Sequence, residues 1–385
     1  MRERGISHRE ASALVWICVL PSMFLLEPSM SIARAGTSAY LVKVGSGLVF
    51  FALAWWMMVM VERYAARAGA FTLGDFLAHY LTRGVARCVL ALWAGLFLVH
   101  LILLLRTVAE STAKTALGQS EISLPLVLFG GAMMLGVRYR LTALLRASYL
   151  LALFAGGLVA VLVLLLLPMM KAELLLPWQG YGHAVTAREV VFDVGSWCAG
   201  TAVFLLFPMM RAEKGARRAL SGGVAVMMVI KCAVLLSALS VFGSVVGAER
   251  SFLFYEMAKL VHFSQYIQRV EAIFVCAWVM VVFLAMIVLV RVIVMLLVDA
   301  LAVREGRPLS MLVISLASVC ALLVSDLAST VQTNEVLTYT VKPFALFVMV
   351  AAVTVGYVLR RRDEHAGRMG GDDRSVPSAD DRLSQ

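Results

Sequence analysis

Charge is scarce in this sequence. Only 15% of the residues are Asp, Glu, Lys or Arg, against roughly 25% in soluble domains. Hydrophobic residues make up 62% of the 385, more apolar surface than one soluble core can hide. Lipid can accept it, provided that the backbone is satisfied within its own helices. Cysteine is sparse as well. Cys18, Cys88, Cys198, Cys232, Cys276 and Cys320 fall in or beside apolar runs, with no CxxC pair and no neighbouring histidine. That spacing supports neither a metal site nor a disulfide framework, and they read as small packing residues. The sequence has no Gly-rich phosphate loop, no HExxH, no GxSxG and no loop motif of paired carboxylates. An enzyme is therefore not expected, nor a cofactor.

What is present is a series of apolar runs. They lie near 11–33, 39–61, 86–108, 122–137, 144–168, 190–210, 219–246, 268–298, 309–327 and 336–359. At about 20 apolar residues per span, they predict an all-α, polytopic membrane protein with about ten transmembrane helices. The first run is longer than the apolar core of a signal peptide and is taken as a span. The membrane domain is expected over residues 1–362, followed by a polar, disordered cytoplasmic tail over 363–385.

The net charge of +10 does not point to nucleic acid, because the cations sit in short clusters between the runs. Alternate connections carry Arg2, Arg4 and Arg9; Arg63, Arg67, Arg83 and Arg87; Arg138, Arg140 and Arg146; Arg211, Lys214, Arg217 and Arg218; Arg304 and Arg307; and Arg360, Arg361 and Arg362. The opposite set has fewer than half as many, among them Arg34, Lys43, Lys171, Lys259 and Lys342. The positive-inside rule then places both termini in the cytoplasm. Two connections on the other side are longer, near 169–189 and 247–267. The second is aromatic-rich and is expected to lie along the membrane surface.

Two runs are poor helices at mid-depth. In the first, Pro21 and Pro28 flank Ser22, Met23 and Glu27. Each proline removes a backbone donor and clashes with the preceding turn. In the sixth, Gly195, Ser196, Cys198, Gly200 and Thr201 interrupt the apolar pattern after Asp193. Paired interruptions in the first and sixth helices point to a midplane ligand site in inverted-repeat transporters, where free N–H groups can meet a carboxylate. Small residues also serve plain helix packing, so the pattern alone leaves both readings open. Pro21, Ser22, Met23, His100, Gly195, Ser196, Cys198, Gly200 and Thr201 form the candidate ligand-binding set.

Ionisable residues within spans are costly and tend to be functional. Lys231 is deepest in its run, and a partner in Glu271 or Asp193, or a neutral buried form, would explain it. Arg106, Glu27 and Arg291 lie nearer run ends, where snorkelling would account for them. Arg269 and Glu271 are two apart on one helix and need separate partners.

The stretch Phe263-Ser264-Gln265-Tyr266-Ile267-Gln268-Arg269-Val270-Glu271-Ala272-Ile273-Phe274, followed by Trp278, resembles an R-x-E-x-I-F-x-x-x-W signature of the endospore germination permease family, the B subunits of nutrient germinant receptors. Ile6-Ser7, Ala35-Gly36, Leu176-Pro177, Gly200-Thr201, Pro208 and Phe242-Gly243 fit the same order over about residues 6 to 360. Gln268, His8 and Pro21-Ser22 depart from it. The resemblance implies a branch of the amino acid–polyamine–organocation transporters, with a LeuT-like 5+5 inverted repeat and broken helices 1 and 6. It implies a small nutrient ligand, an amino acid among the candidates, and A-type and C-type (lipoprotein) receptor subunits as partners in the spore inner membrane. Arg269, Glu271 and Trp278 become signature residues, and Lys231 a structural or coupling group. An H+- or Na+-coupled amino-acid permease is the alternative. The charge pattern makes a direct prediction: a fluorescent protein fused after Arg362 should fold and fluoresce, and a periplasmic phosphatase fused there should stay inactive.

Overall fold

The computed structural model describes residues 6–68, 71–115, 121–209, 213–261, 271–303 and 307–369, and every described element is helical. Seven helical stretches are long and apolar enough to cross a membrane. With two shorter apolar helices, Ser123–Gly136 and Pro308–Leu323, and the helix that opens the chain, the described residues make ten crossings.

The first crossing consists of two pieces. Helix α1 (His8–Phe24) begins at a capping box in which Ser7 and Glu10 bond each other's backbone N–H. It carries Pro21 and stops at Leu25, whose φ of −104° and ψ of −107° are not helical. Helix α2 (Glu27–Ala35) restarts with Pro28 in its first turn, where the missing N–H costs nothing. The two prolines leave the carbonyls of Ile17 and Phe24 without their usual partners, and the chain breaks between them at Leu25-Leu26. The break expected from the sequence is there, a few residues beyond Pro21-Ser22.

Helix α3 (Ala39–Ala68) is the second crossing, and a short amphipathic helix α4 (Leu73–Tyr80) follows it. The third to fifth crossings are α5 (Arg83–Thr115), α6 (Ser123–Gly136) and α7 (Leu141–Leu166). The sixth opens as α8 (His183–Asp193) and continues as a 3₁₀ helix over Val194–Met209. A 3₁₀ run of that length is unusual, and it coincides with the small residues Gly195, Ser196 and Gly200. Helix α9 (Glu213–Glu249) is kinked at Gly243, where φ is 73°. Then come α10 (Leu253–Lys259), α11 (Glu271–Leu301) and α12 (Arg307–Leu323). The last crossing is α13 (Leu327–Val336), a π turn at Leu337–Val341, and α14 (Lys342–Met369).

Around the broken pair, α1 packs on α9, α7, α11 and the 3₁₀ segment, and α5 lies along α11. Gly195 sits against the last crossing so closely that a Cβ there would be 1.8 Å from the carbonyl oxygen of Thr338. Only glycine allows that approach. The connection after α7 folds back over the end of α2. Gly180 (φ 58°) sits where a Cβ would lie 2.1 Å from the carbonyl oxygen of Ala35, and the Thr37 hydroxyl donates to the Pro177 carbonyl.

Several expectations need correction. Lys43 and Lys342 are not loop residues: both lie on spanning helices and are buried. Arg106 does not snorkel. It is buried and reaches the carbonyl oxygens of Ala321 and Ser325, at 3.5 and 3.3 Å, past the end of α12. Helix α10 turns one face inward, where Leu253, Phe254, Met257 and Ala258 are buried and Phe254 packs on Phe24, with centroids 4.7 Å apart; Phe263 and Tyr266 of the same connection lie outside the described residues. The last helix runs past 362 to Met369, and residues 370–385 lie outside the described part. A Gly195→Ala substitution should destabilise the protein by about 1–3 kcal/mol, the usual effect of overpacking, read as a lowered Tm of the detergent-solubilised chain.

Candidate functional site

Glu27 opens α2 just after the break, is 4% exposed, and gathers two lysines. The Nζ of Lys43, from α3, is 2.7 Å from its Oε1. The Nζ of Lys231, from α9, is 2.6 Å from the same oxygen. Its other oxygen accepts from the Ser22 hydroxyl at 2.5 Å, so the carboxylate ties the two sides of the break together. Lys43 also donates to Asp193 Oδ1 at 2.5 Å, at the point where α8 gives way to the 3₁₀ segment. The second oxygen of Asp193 accepts from Ser46 at 2.6 Å and Ser196 at 3.3 Å. Lys231 completes its shell with the Ser196 hydroxyl and carbonyl, at 3.2 and 3.4 Å, and lies 4.4 Å from the centroid of the Trp197 ring. Trp197 in turn donates to Ser46 at 3.0 Å.

Two acids and two lysines thus form a neutral, fully buried cluster in which each charge has an opposite neighbour. Such clusters are tolerated where hydrogen bonds satisfy the remaining lone pairs and protons. It joins α2, α3, the 3₁₀ segment and α9.

A small polar cavity adjoins the cluster. Ser22, Glu27, His100, Ser196, Thr338 and Lys342 are among its lining. Its empty volume is about 380 Å³ with open margins included, and its enclosed part has room only for ordered water. A neighbouring space shares Ser22, Glu27, His100 and Asn334 and adds the leucines Leu25, Leu26, Leu103 and Leu104. Tyr339 is part of the lining, and over its ring lies Arg34, which bonds Glu189 of α8 at 2.6 Å and Glu335 of α13 at 2.8 Å. Tyr339 meets the Ser31 hydroxyl at 3.3 Å. On the other side lies an apolar space of about 480 Å³ that includes Met57, Trp93, Phe97 and Thr201.

Of the residues singled out from the sequence, Ser22, His100 and Ser196 share the polar cavity. Thr201 lines the apolar space and donates to the Cys198 carbonyl. Pro21, Met23 and Trp278 are buried in packing. Gly195 and Gly200 are contact points, the latter against Phe50 and Val15. The Cys198 thiol bonds the carbonyls of Val194 and Lys342. Lys231 joins the cluster, but its acid partner is Glu27, while Asp193 takes Lys43. Arg269 and the side chain of Glu271 lie outside the described residues.

Lys43 and Lys342 were missed because each sits within a few residues of the start of an apolar run, where a cation reads as a loop end. Glu27, between two prolines, carried the stronger clue: a broken turn leaves backbone and side chain to be satisfied together.

A first crossing broken at Leu25-Leu26 and a sixth that passes from α to 3₁₀ at Val194, around a buried polar centre, are the arrangement of the LeuT-like inverted-repeat fold. Among solved structures, a Na+-coupled sialic acid symporter, captured in a substrate-bound outward-open state and described as having a novel Na+ site, aligns at a TM-score of 0.66 with 10% identity, covering 91% of this chain and 78% of its own. The nucleobase-cation-symport-1 transporter Mhp1, in a closed conformation with bromovinylhydantoin, aligns at 0.43 with 13% identity, covering 93% and 72%. No curated protein matches the chain in sequence. The spore permease family, described as spore germination protein, matches residues 5–333, and the chain belongs to that family. It is a multi-pass membrane protein with a germination-related role.

Removing one member of the cluster strands its partners. Glu27→Gln should cost about 3–5 kcal/mol, and adding Lys231→Met to it should recover part of the loss. Thermal unfolding of the two variants and the Lys231→Met single variant forms the cycle that checks this.

Proposed function

We propose that this chain is the membrane-embedded nutrient-sensing subunit of a spore germinant receptor. A small nutrient, an amino acid in the first instance, binds in the polar cavity between the broken first and sixth crossings. The single observation that carries this reading is the position of that cavity: it borders both helix breaks, and its walls come from elements that no rigid rod connects. A ligand shifts such a structure only through unequal affinity for its states. The enclosed part of the cavity is water-sized, so nutrient entry requires it to widen, and on this reading the Arg34 ties to Glu189 and Glu335 part. Binding then favours a more open arrangement of α2, α8 and α13.

The receptor reading places the chain in the spore inner membrane with both termini in the cytoplasm. A-type and C-type (lipoprotein) subunits receive the change. The residues of the signature segment, Arg269 and Glu271 with Trp278, hold or couple that response, and Lys231 does so through the buried cluster.

A coupled permease is the second reading, supported by the likeness to a Na+-coupled symporter, which is itself a likeness of fold. Uptake by proteoliposomes separates the two. Binding without gradient-driven accumulation supports the sensor, and accumulation favours the permease.

Ala199 lines the polar cavity and is small. Ala199→Trp should abolish both nutrient-triggered germination and nutrient-induced thermal stabilisation, with the chain still present in the membrane. Normal germination of such spores would overturn the site.

A further inference from the structure

Among the described residues, each buried charge meets an opposite one, with one exception. Glu27 and Asp193 balance Lys43 and Lys231. Glu62 meets Arg217, Arg106 meets Glu110, and Glu189 holds Arg34 and Arg188. Lys342 is 5% exposed and meets no carboxylate among the described residues. Its Nζ approaches one polar side-chain atom, His100 Nδ1, at 3.2 Å. As an ammonium, which has donors and no acceptor, Lys342 would donate to Nδ1 of a neutral imidazole with its proton on Nε2. The positive charge of Lys342 is therefore left over beside the polar cavity, whose wall both residues form.

Lys342 begins the last helix. It follows the π turn Leu337–Val341, and an inserted residue of this kind turns all that follows around the helix axis; π turns concentrate at functional sites. A buried cation without a counter-charge is costly. A ligand that brings the opposite charge gains what the protein lacks. Next to the lysine, across shared walls at His100 and Asn334, lies the space bordered by Leu25, Leu26, Leu103 and Leu104. The combination is a cation at one end and an apolar wall at the other.

We infer that Lys342, steadied by His100, is the anchor for the carboxylate of the nutrient, whose class is a small carboxylic acid with an apolar side chain, aliphatic α-amino acids included. This rests on the nutrient-binding reading above and deepens it. No bond is made or broken: the ligand carboxylate accepts from the ammonium, and the buried site becomes neutral.

The test uses the full-length chain in nanodiscs, with thermal stabilisation and calorimetry as readouts. The probes are L-alanine, L-valine and L-leucine, the C-terminal amides of the same three, and a sugar and a nucleoside. The expected result is stabilisation by one or more of the acids and not by its amide. Lys342→Met should weaken that acid on the order of ten- to a hundred-fold, the usual worth of a hydrogen bond to a charged group, and Lys342→Arg should retain most of it. Because Lys342→Met removes an unpaired buried charge, its ligand-free Tm should stay the same or rise. A lysine that only supports the fold would show the opposite, and a Tm drop with unchanged affinity overturns the inference. Equal binding of an acid and its amide, or binding of the sugar or nucleoside alone, overturns the carboxylate anchor and leaves the nutrient sensor standing. Binding by none of the probes overturns both.

Discussion

The centre of this protein depends on one carboxylate. Glu27 sits at the first residue of a restarted helix and holds two lysines from two other helices on a single oxygen, while its second oxygen reaches back across the break to Ser22. In a medium that cannot solvate ions, each of those groups would be intolerable alone. Together they make the break affordable, since the freed turn between Pro21 and Pro28 is stitched by side chains where backbone bonds are lost. Asp193 does the same for the sixth crossing, through Lys43, Ser46 and Ser196. The two interruptions are thus a single polar object, and Lys43 and Lys231 join its halves.

Much of the architecture was legible in the sequence because lipid imposes so few solutions. Ten apolar runs could only be helices, and prolines seven apart in one run announce where regularity fails. The break in the sixth crossing was legible too, from Gly195, Ser196 and Gly200. The form it takes was not: nothing in those residues distinguishes an unwound loop from an extended 3₁₀ stretch, which tertiary contacts such as Gly195 against Thr338 decide.

The site was less legible, for a physical reason. Hydropathy locates a cation along one helix but not relative to the others. Lys231 could be seen to need an acid, yet whether that acid was Glu27, Asp193 or Glu271 depends on the angular positions of three helices. Lys43 and Lys342 looked like loop residues for the same reason. His100, by contrast, was found from sequence because a histidine at the middle of a long apolar run has no water to turn to. Membership of the spore permease family agrees with the resemblance in the signature segment, whose Arg269 and Glu271 side chains fall outside the described residues.

The sixteen residues from Val194 to Met209 in the 3₁₀ form have a mechanical corollary. At a rise of about 2.0 Å per residue they extend roughly 32 Å, whereas an α-helix of equal length, at 1.5 Å per residue, would extend roughly 24 Å. The segment therefore spans more of the bilayer than an α-helix of the same number of residues would. Rewinding even half of it would draw the membrane-surface end of that crossing inwards by about 4 Å, enough travel for a pull on whatever is fastened there.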